Sequence, residues 1–460
     1  MDSNTPNNDD PTHNAPSSSL INEALRAIGD ACWEKFDFGR SWKDWNRHLQ
    51  GSQVIPISDR LAYIASKGVV GNVTLVDTDD GLVVIDSGSH TTAANVHKAI
   101  RAWSDKPIHT VIYTHGHLDH AFGTPLFDEE AVAAGLPKPE VIGQANIARR
   151  FRRYQASAGW NANINGRQFR IPGFTWAQEY RYPDTFYEEE MVLDKGGRRL
   201  ELYHGMGETD DHTWTWIADE KAVVTGDFII WAAPNAGNPQ KVQRYARPWA
   251  EALRAMAAKR PEVLVPGHGP AVFGAERVAA MLDDNATFLE TIHDQTLEMM
   301  NQGLPLADIV RAVTLPEGLL DKPYLQPTYD DPEFLIRNVW RLYGGWYDGN
   351  PAHLKPAHPE SLGAAVAELA GGSEALANAA RRHFEAGDLR TAGHLIEFAV
   401  SADPHCVAAH RTRVAICSER ARQETSLMAR GIFTATANAS LEALGEAPTG
   451  NNDPKRTRIG

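Results

Sequence analysis

The chain has 460 residues, too many for one compact core, so two or three domains are expected. Its 45 Lys and Arg stand against 59 Asp and Glu, and the net charge of −14 disfavours nucleic acid and anionic membrane surfaces as partners. Three cysteines without paired spacing, Cys32, Cys406 and Cys417, argue against a disulfide framework or a cysteine metal site and fit a reducing cytosol. No apolar run approaches the roughly 20 residues that cross a bilayer, so a cytoplasmic location is expected.

In chain order, residues 1–20 are rich in Asn, Asp, Pro and Ser, lack the basic start and apolar stretch of a signal peptide, and read as a disordered lead. A region of short apolar strands and helices follows, over 21–275. Within it "GNVTLVDTDDGLVVIDSGS" predicts a β-hairpin with its turn at Asp79-Asp80-Gly81. Helical spacing follows at Val96, Ile100 and Trp103, and then a buried strand, "HTVIYTHGH". Further strands are predicted at "RRLELYH", "TWTWIAD", "AVVTGDFII" and "EVLVPGHG". Over 276–435 the texture becomes helical, with "NAARRHFEAGDLRTAGHLIEFAVSADP" reading as two helices joined at Gly387-Asp388. Ala379, Ala392 and Ala399 are the small residues expected where those helices touch. Residues 436–460 read as a flexible tail.

The stretch "YTHGHLDHAFG" follows a strand directly and concentrates His115, His117, Asp119 and His120 in six positions. One-residue spacers let His115 and His117 face one point while Asp119 and His120 turn toward a second. Two such pairs predict two metal positions. His212 opens a later strand, and Asp227 and His268 close two others. The expected ligand set is His115, His117 and His212 for one ion, Asp119, His120 and His268 for the other, with Asp227 between them; Glu208, Asp210 and Asp211 beside His212 are alternatives to it. Imidazole-rich donors with few carboxylates suit zinc, two Zn2+ per chain, although iron and manganese stay open. Two ions about 3.5–4 Å apart would make a bridging water a nucleophile near neutral pH, and Asp119 would orient that bridging hydroxide.

The ordered set "THGHLDH", a lone histidine, "GD" and "PGHG" resembles the metallo-β-lactamase fold superfamily over about 53–272. That resemblance implies an α/β fold, a four-layer αββα sandwich with the site at one edge, and a supporting role for Asp86 in "VVIDSG". The segment 276–430, distinctive in "GWYDGNP", resembles the helical dimerisation domain of bacterial alkylsulfatases, which implies a homodimer whose helical domain helps wall the site. Members with sulfatase activity tend to carry glutamates where His212 and Asp227 stand here. The sterol-carrier-like third domain of the larger enzymes is also not expected, and both departures point away from long-chain, detergent-type substrates.

The resemblance makes Arg244, in "KVQRYARPW" with Lys241 and Arg247, the sulfate-contacting arginine. It also places Tyr154, Asn163, Asn165 and Arg167 among polar substrate contacts, and Trp160, Trp176 and Trp231 are candidates for an apolar wall. The expected function is therefore a binuclear zinc hydrolase of small or medium sulfate esters, with a small-molecule substrate and no nucleic-acid or membrane partner. The alternatives are a thioester, lactone or other carboxylic ester hydrolase of the same fold and an iron-dependent sulfur oxygenase.

Overall fold

The computed structural model describes residues 18–34, 45, 47, 49, 51–68, 70–171 and 173–449. Most of the expected N-terminal lead and the last eleven residues of the expected tail lie outside them. At both margins regular structure reaches further than composition suggested. Helix α1 (Ser18–Glu34) begins inside the expected lead, and the last helix among the described residues (Leu427–Ala443) crosses the expected boundary at 435. It does so because Met428, Ala429, Ala437 and Leu441 bury one face of it.

Two sheets form the centre. The first runs in the order β1 (Ser52–Pro56), β2 (Leu61–Ser66), β3 (Val73–Thr78), β4 (Gly81–Ile85), β5 (Ile108–Ile112), β6 (Glu140–Gln144) and β7 (Thr185–Tyr187). Its first four strands are antiparallel and its last four parallel. The second sheet runs from β13 (Val272–Phe273) through β12 (Val263–Pro266), β11 (Ala222–Gly226), β10 (His212–Ile217) and β9 (Arg198–Gly205) to β8 (Glu190–Lys195). The predicted hairpin is β3 and β4, with Thr78 opposite Gly81.

Strands of the first sheet carry apolar residues without alternation because both faces are covered. Tyr63, Val83 and Ile85 face the second sheet and pack with Leu200, Leu202 and Val224. Ala62, Ile64, Leu82 and Val84 point the other way, onto Val96 and Ile100 of α2 (Ala93–Trp103) and Phe127 of α3 (Thr124–Ala133). The outer face of the second sheet, with Trp214, Trp216 and Leu264, is covered by Trp249 and Leu253 of α6 (Ala246–Ala258) and by Met281 and Leu282 of α7 (Ala275–Asn301). The layers are thus helix, sheet, sheet, helix, as the resemblance implied. Helices α4 (Asn146–Ala156) and α5 (Ala158–Phe169) cap the sandwich near the site.

The helical region continues with α8 (Leu306–Ala312), α9 (Pro332–Gly344), α10 (Pro351–Leu354), α11 (Pro359–Ala370), α12 (Ser373–Glu385), α13 (Leu389–Ala402), α14 (Val407–Gln423) and α15 (Leu427–Ala443). The predicted helix pair is α12 and α13, where Asp388 caps α13 by accepting the Thr391 amide. Ala392 and Ala399 are fully buried between the helices as expected, but Ala380 rather than Ala379 makes the contact from α12. Among the described residues no helix is long and apolar enough to cross a membrane.

Candidate metal centre

The site forms where strands of the two sheets end side by side. Ile85 pairs with Ile112, so Asp86 and Thr114 leave β4 and β5 together. In the other sheet Gly226 pairs with Pro266, which puts Asp227 and His268 next to one another. Asn72 ties the sheets at this edge, its Nδ2 donating to the carbonyls of Pro266 (2.9 Å) and Gly269 (2.8 Å). The approach is so close that a Cβ on Gly267 would lie 2.0 Å from Asp227 Oδ1. Gly226 adopts φ +51°, and a Cβ there would meet His212 Nε2 at 2.7 Å.

Donor atoms converge in two groups. His115, His117, Glu208 and Asp227 form one, and Asp119, His120 and His268 form the other. His115 Nε2 lies 2.8 Å from His117 Nδ1 and 3.7 Å from Asp227 Oδ2. Glu208 Oε2 lies 3.9 Å from His117 Nδ1. In the second group His268 Nε2 lies 3.4 Å from Asp119 Oδ2, and His120 Nε2 lies 3.7 Å from that same atom. Asp227 Oδ1 approaches both imidazoles, at 3.2 Å from His120 and 3.3 Å from His268, so its two oxygens face the two groups.

His212, expected as a ligand, lies outside both donor groups. It sits behind the cluster, stacked on His115 at 4.3 Å between ring centroids, and its Nε2 accepts the backbone amide of Asp227 at 3.0 Å. Glu208, four residues earlier in the same turn, reaches the donor group instead. The other two alternatives are committed elsewhere: Asp211 accepts from the Gly116 amide (3.0 Å) and Arg150 Nε (2.8 Å), and Asp210 pairs with Arg150. A glutamate thus stands in the first donor group, while position 227 keeps its aspartate.

The donor set suits divalent metal. His120 Nε2 and Asp227 Oδ1 are shut from solvent and, though close, make no aligned hydrogen bond to one another. Such an arrangement costs free energy unless a cation is shared between the two atoms. Burial holds the His115 and His117 imidazoles well below their usual range, which favours the neutral, metal-binding form. Burial also pushes Glu208 up to about 7, against the pull of Arg244. Around the second group burial opposes charge on His268, yet Asp227 and Asp119 outweigh it and push His268 up to about 10.

Behind the donors a fixed frame sets their direction. Asp86, held at φ +64°, accepts the Thr114 amide and hydroxyl, each at 2.7 Å, and lies 2.7 Å from His120 Nδ1. That contact places the His120 proton on Nδ1 and turns Nε2 toward the site.

A cavity of about 1170 Å³ opens from the two groups. Its wall is largely apolar, with Ile164, Phe169, Phe174 and Trp176, and includes the predicted contacts Arg244, Tyr154 and Asn165. Arg244 is buried, pairs with Glu208 and donates to the Asn235 carbonyl at 2.6 Å. Tyr154 accepts from Arg150 at 3.3 Å, and Asn165 Oδ1 accepts from Lys241 Nζ at 2.8 Å. Trp160 stands at the rim, 60 % exposed. Trp231 instead belongs to the core, its indole N–H bonded to the Pro270 carbonyl. Arg247 is exposed and pairs with Glu251 and Asp294, away from the site, and Asn163 and Arg167 are exposed as well.

The resemblance implied that the helical domain helps wall the site, but the residues that do so were not singled out from the sequence. Tyr329, Arg341 and Leu427 line the cavity. Asn338 Nδ2 donates to the carbonyls of Ala236 and Arg244 (2.5 and 2.9 Å), and Asp330 accepts the Gly237 amide at 2.5 Å. The loop that carries Asn235, Lys241 and Arg244 is therefore fastened from the second domain.

An αββα sandwich with two His/Asp/Glu groups at the edge of its sheets is the arrangement of a metal-dependent protein of metallo-β-lactamase type. The comparisons agree. Residues 67–268 match the family model of the metallo-beta-lactamase superfamily, and residues 306–442 match that of alkyl sulfatase dimerisation. The metal domain thus belongs to the metallo-β-lactamase superfamily, and it is followed by a helical domain of the alkylsulfatase dimerisation type.

An (R)-specific secondary-alkylsulfatase of Pseudomonas sp. is 30 % identical over 364 residues, covering 72 % of this chain and 54 % of that protein. A linear primary-alkylsulfatase of a Pseudomonas strain is 25 % identical over 351 residues, covering 72 % of this chain and 66 % of that protein. In structure the chain is similar to the stereoselective inverting sec-alkylsulfatase Pisa1 from Pseudomonas sp., with a TM-score of 0.76 and 25 % identity over 92 % of this chain and 71 % of that one. The chain thus spans between 54 % and 66 % of the length of these two curated relatives.

Proposed function

We propose that the chain is a binuclear zinc-dependent hydrolase of small or medium sulfate esters. The observation that carries this reading is the opening of both donor groups into a single cavity, apolar along its wall and cationic near the donors. Such a space suits a molecule with an anionic head and an apolar tail. His115, His117, Glu208 and Asp227 would hold one ion, and Asp119, His120, His268 and Asp227 the other. Bound there, zinc would supply Lewis acidity to the ester oxygen and lower the pKa of water.

The residues have separable tasks. Asp119, half-exposed at the mouth of the second group, accepts a hydrogen bond from the attacking water and orients it. Asp86 keeps His120 in one tautomer. Glu208 and Arg244 neutralise one another, and the cations around them balance the charge of the ester. The apolar wall excludes bulk water and holds the alcohol portion.

The grouping of Glu208 rather than His212 with His115, His117 and Asp227 supports a sulfate ester over the acyl ester or thioester that a His212 and Asp227 set would favour. The second donor group likewise argues against a single-iron oxygenase. The helical domain, with Trp346 and Leu369 at 67 % and 91 % exposure, supports assembly as a homodimer.

Metal analysis of the purified chain, run beside a panel of octyl sulfate, octanoyl esters and thioesters, tests the assignment. Two zinc ions per chain and sulfate release are expected. Acyl ester cleavage without sulfate release would reassign the substrate, and one iron per chain would reassign the chemistry.

A further inference from the structure

The cavity collects cations from three parts of the fold: Arg150 and Arg153 on α4, Lys241 and Arg244 on the loop before α6, and Arg341 on α9. They differ in whether a carboxylate answers their charge. Arg150 is met by Asp210 and Asp211, and Arg244 by Glu208. Arg341 is bonded to neutral acceptors set back from the donors, Gln243 Oε1 at 2.9 Å and Asn338 Oδ1 at 2.8 Å.

Lys241 is the informative one. Its Nζ donates to the neutral Asn165 Oδ1 at 2.8 Å and stands 6.0 Å from the centre of the Trp176 ring. Among the described residues no carboxylate pairs with it. A half-buried ammonium that is hydrogen-bonded to an amide rather than to a carboxylate gains free energy when an anion arrives. Arg244, the residue that the family resemblance singles out, has its charge balanced by Glu208; both of its hydrogen bonds leave from Nη1, which leaves Nε and Nη2 without one.

Resting on the sulfate-ester reading above, we propose that Lys241, steered by Asn165, is an anion anchor that works beside Arg244 and selects charged esters over neutral ones. The placement next to Trp176 puts the anchor where the polar head and the apolar chain of a substrate meet. Burial supports the assignment by pushing the Lys241 pKa down to about 7; Arg244 and Arg153 add to that effect and Glu208 opposes it. The anchor is charged below that pH and neutral above it, so anion affinity falls as pH rises through neutrality.

The test uses the full metal-loaded chain, octyl sulfate as substrate and octanesulfonate as a ligand that cannot be hydrolysed. Lys241→Met should raise both the KM for octyl sulfate and the calorimetric Kd for octanesulfonate by about 10- to 100-fold, the range for losing a charged hydrogen bond, with kcat nearly unchanged. Lys241→Arg should retain affinity and lose its pH dependence between about pH 6 and 8, since guanidinium does not titrate there. Asn165→Asp, which gives Lys241 an internal counter-ion while leaving the lysine in place, should weaken octanesulfonate binding as well.

Wild-type affinity in Lys241→Met, or an equal loss in Lys241→Arg, overturns the anchor. Octanesulfonate binding that depends on Lys241 in a protein that releases no sulfate from octyl sulfate would uphold the anchor and overturn the hydrolase reading, so the two failures are distinguishable.

Discussion

Glu208 and His212 lie one turn of chain apart and have opposite situations. His212 faces inward, where its ring supports His115 and its Nε2 holds the Asp227 amide. Glu208 faces the donors. Glu208→Gln should therefore lower metal content toward one ion per chain while leaving Tm nearly unchanged in metal-free samples. His212→Ala should act in the reverse order, losing on the order of 3 kcal/mol of stability from the cavity and the unpaired amide before stoichiometry falls. Metal analysis paired with thermal unfolding separates the two. Sequence could not choose between them because both are polar residues in one short turn, and which faces the site depends on the register of β10 against β9, His212 opposite Gly205. His115, His117, Asp119 and His120 were legible because their spacing and the strand before them constrain one another.

At the scale of elements, every donor sits in a loop that follows a strand, and the parallel pairing of β11 with β12 brings Asp227 to His268. Gly267 makes that pairing possible. Gly267→Ala forces a methyl into Asp227 Oδ1 and the Gly226 backbone. The expected result is loss of metal from both groups, since Asp227 faces each, with a Tm reduced by several degrees; retention of two ions would contradict the shared role of Asp227. Strands and helices were readable from apolar patterning because the sandwich buries both faces of each sheet. The tie between the helical domain and the 233–244 loop was not, since Asn338 and Asp330 carry no periodic signal and matter only through backbone groups distant in sequence.

Across the whole molecule, seven titratable donors and their frame are gathered at one edge, so metal should be coupled to folding. Chelator treatment is expected to lower Tm by on the order of 10 °C, since saturation of a tight site contributes about 3–4 kcal/mol, and returning zinc should restore it. An unchanged Tm would mean that the donor groups hold no ion. The helical domain leaves Leu342, Tyr343, Trp346, Tyr347 and Leu354 exposed between 342 and 354, and Leu369 on α11. Sedimentation should show a dimer for the wild type and a shift toward monomer for Trp346→Glu combined with Leu369→Glu, with metal content intact.

The clasp between Asn338 and the carbonyls of Ala236 and Arg244 makes the two domains poor candidates for modular exchange. A chimera carrying the helical region of a relative would inherit a new fastening for the loop that bears Lys241 and Arg244, and with it a new preference among substrates. In this architecture the helical domain and one wall of the cavity are inherited together.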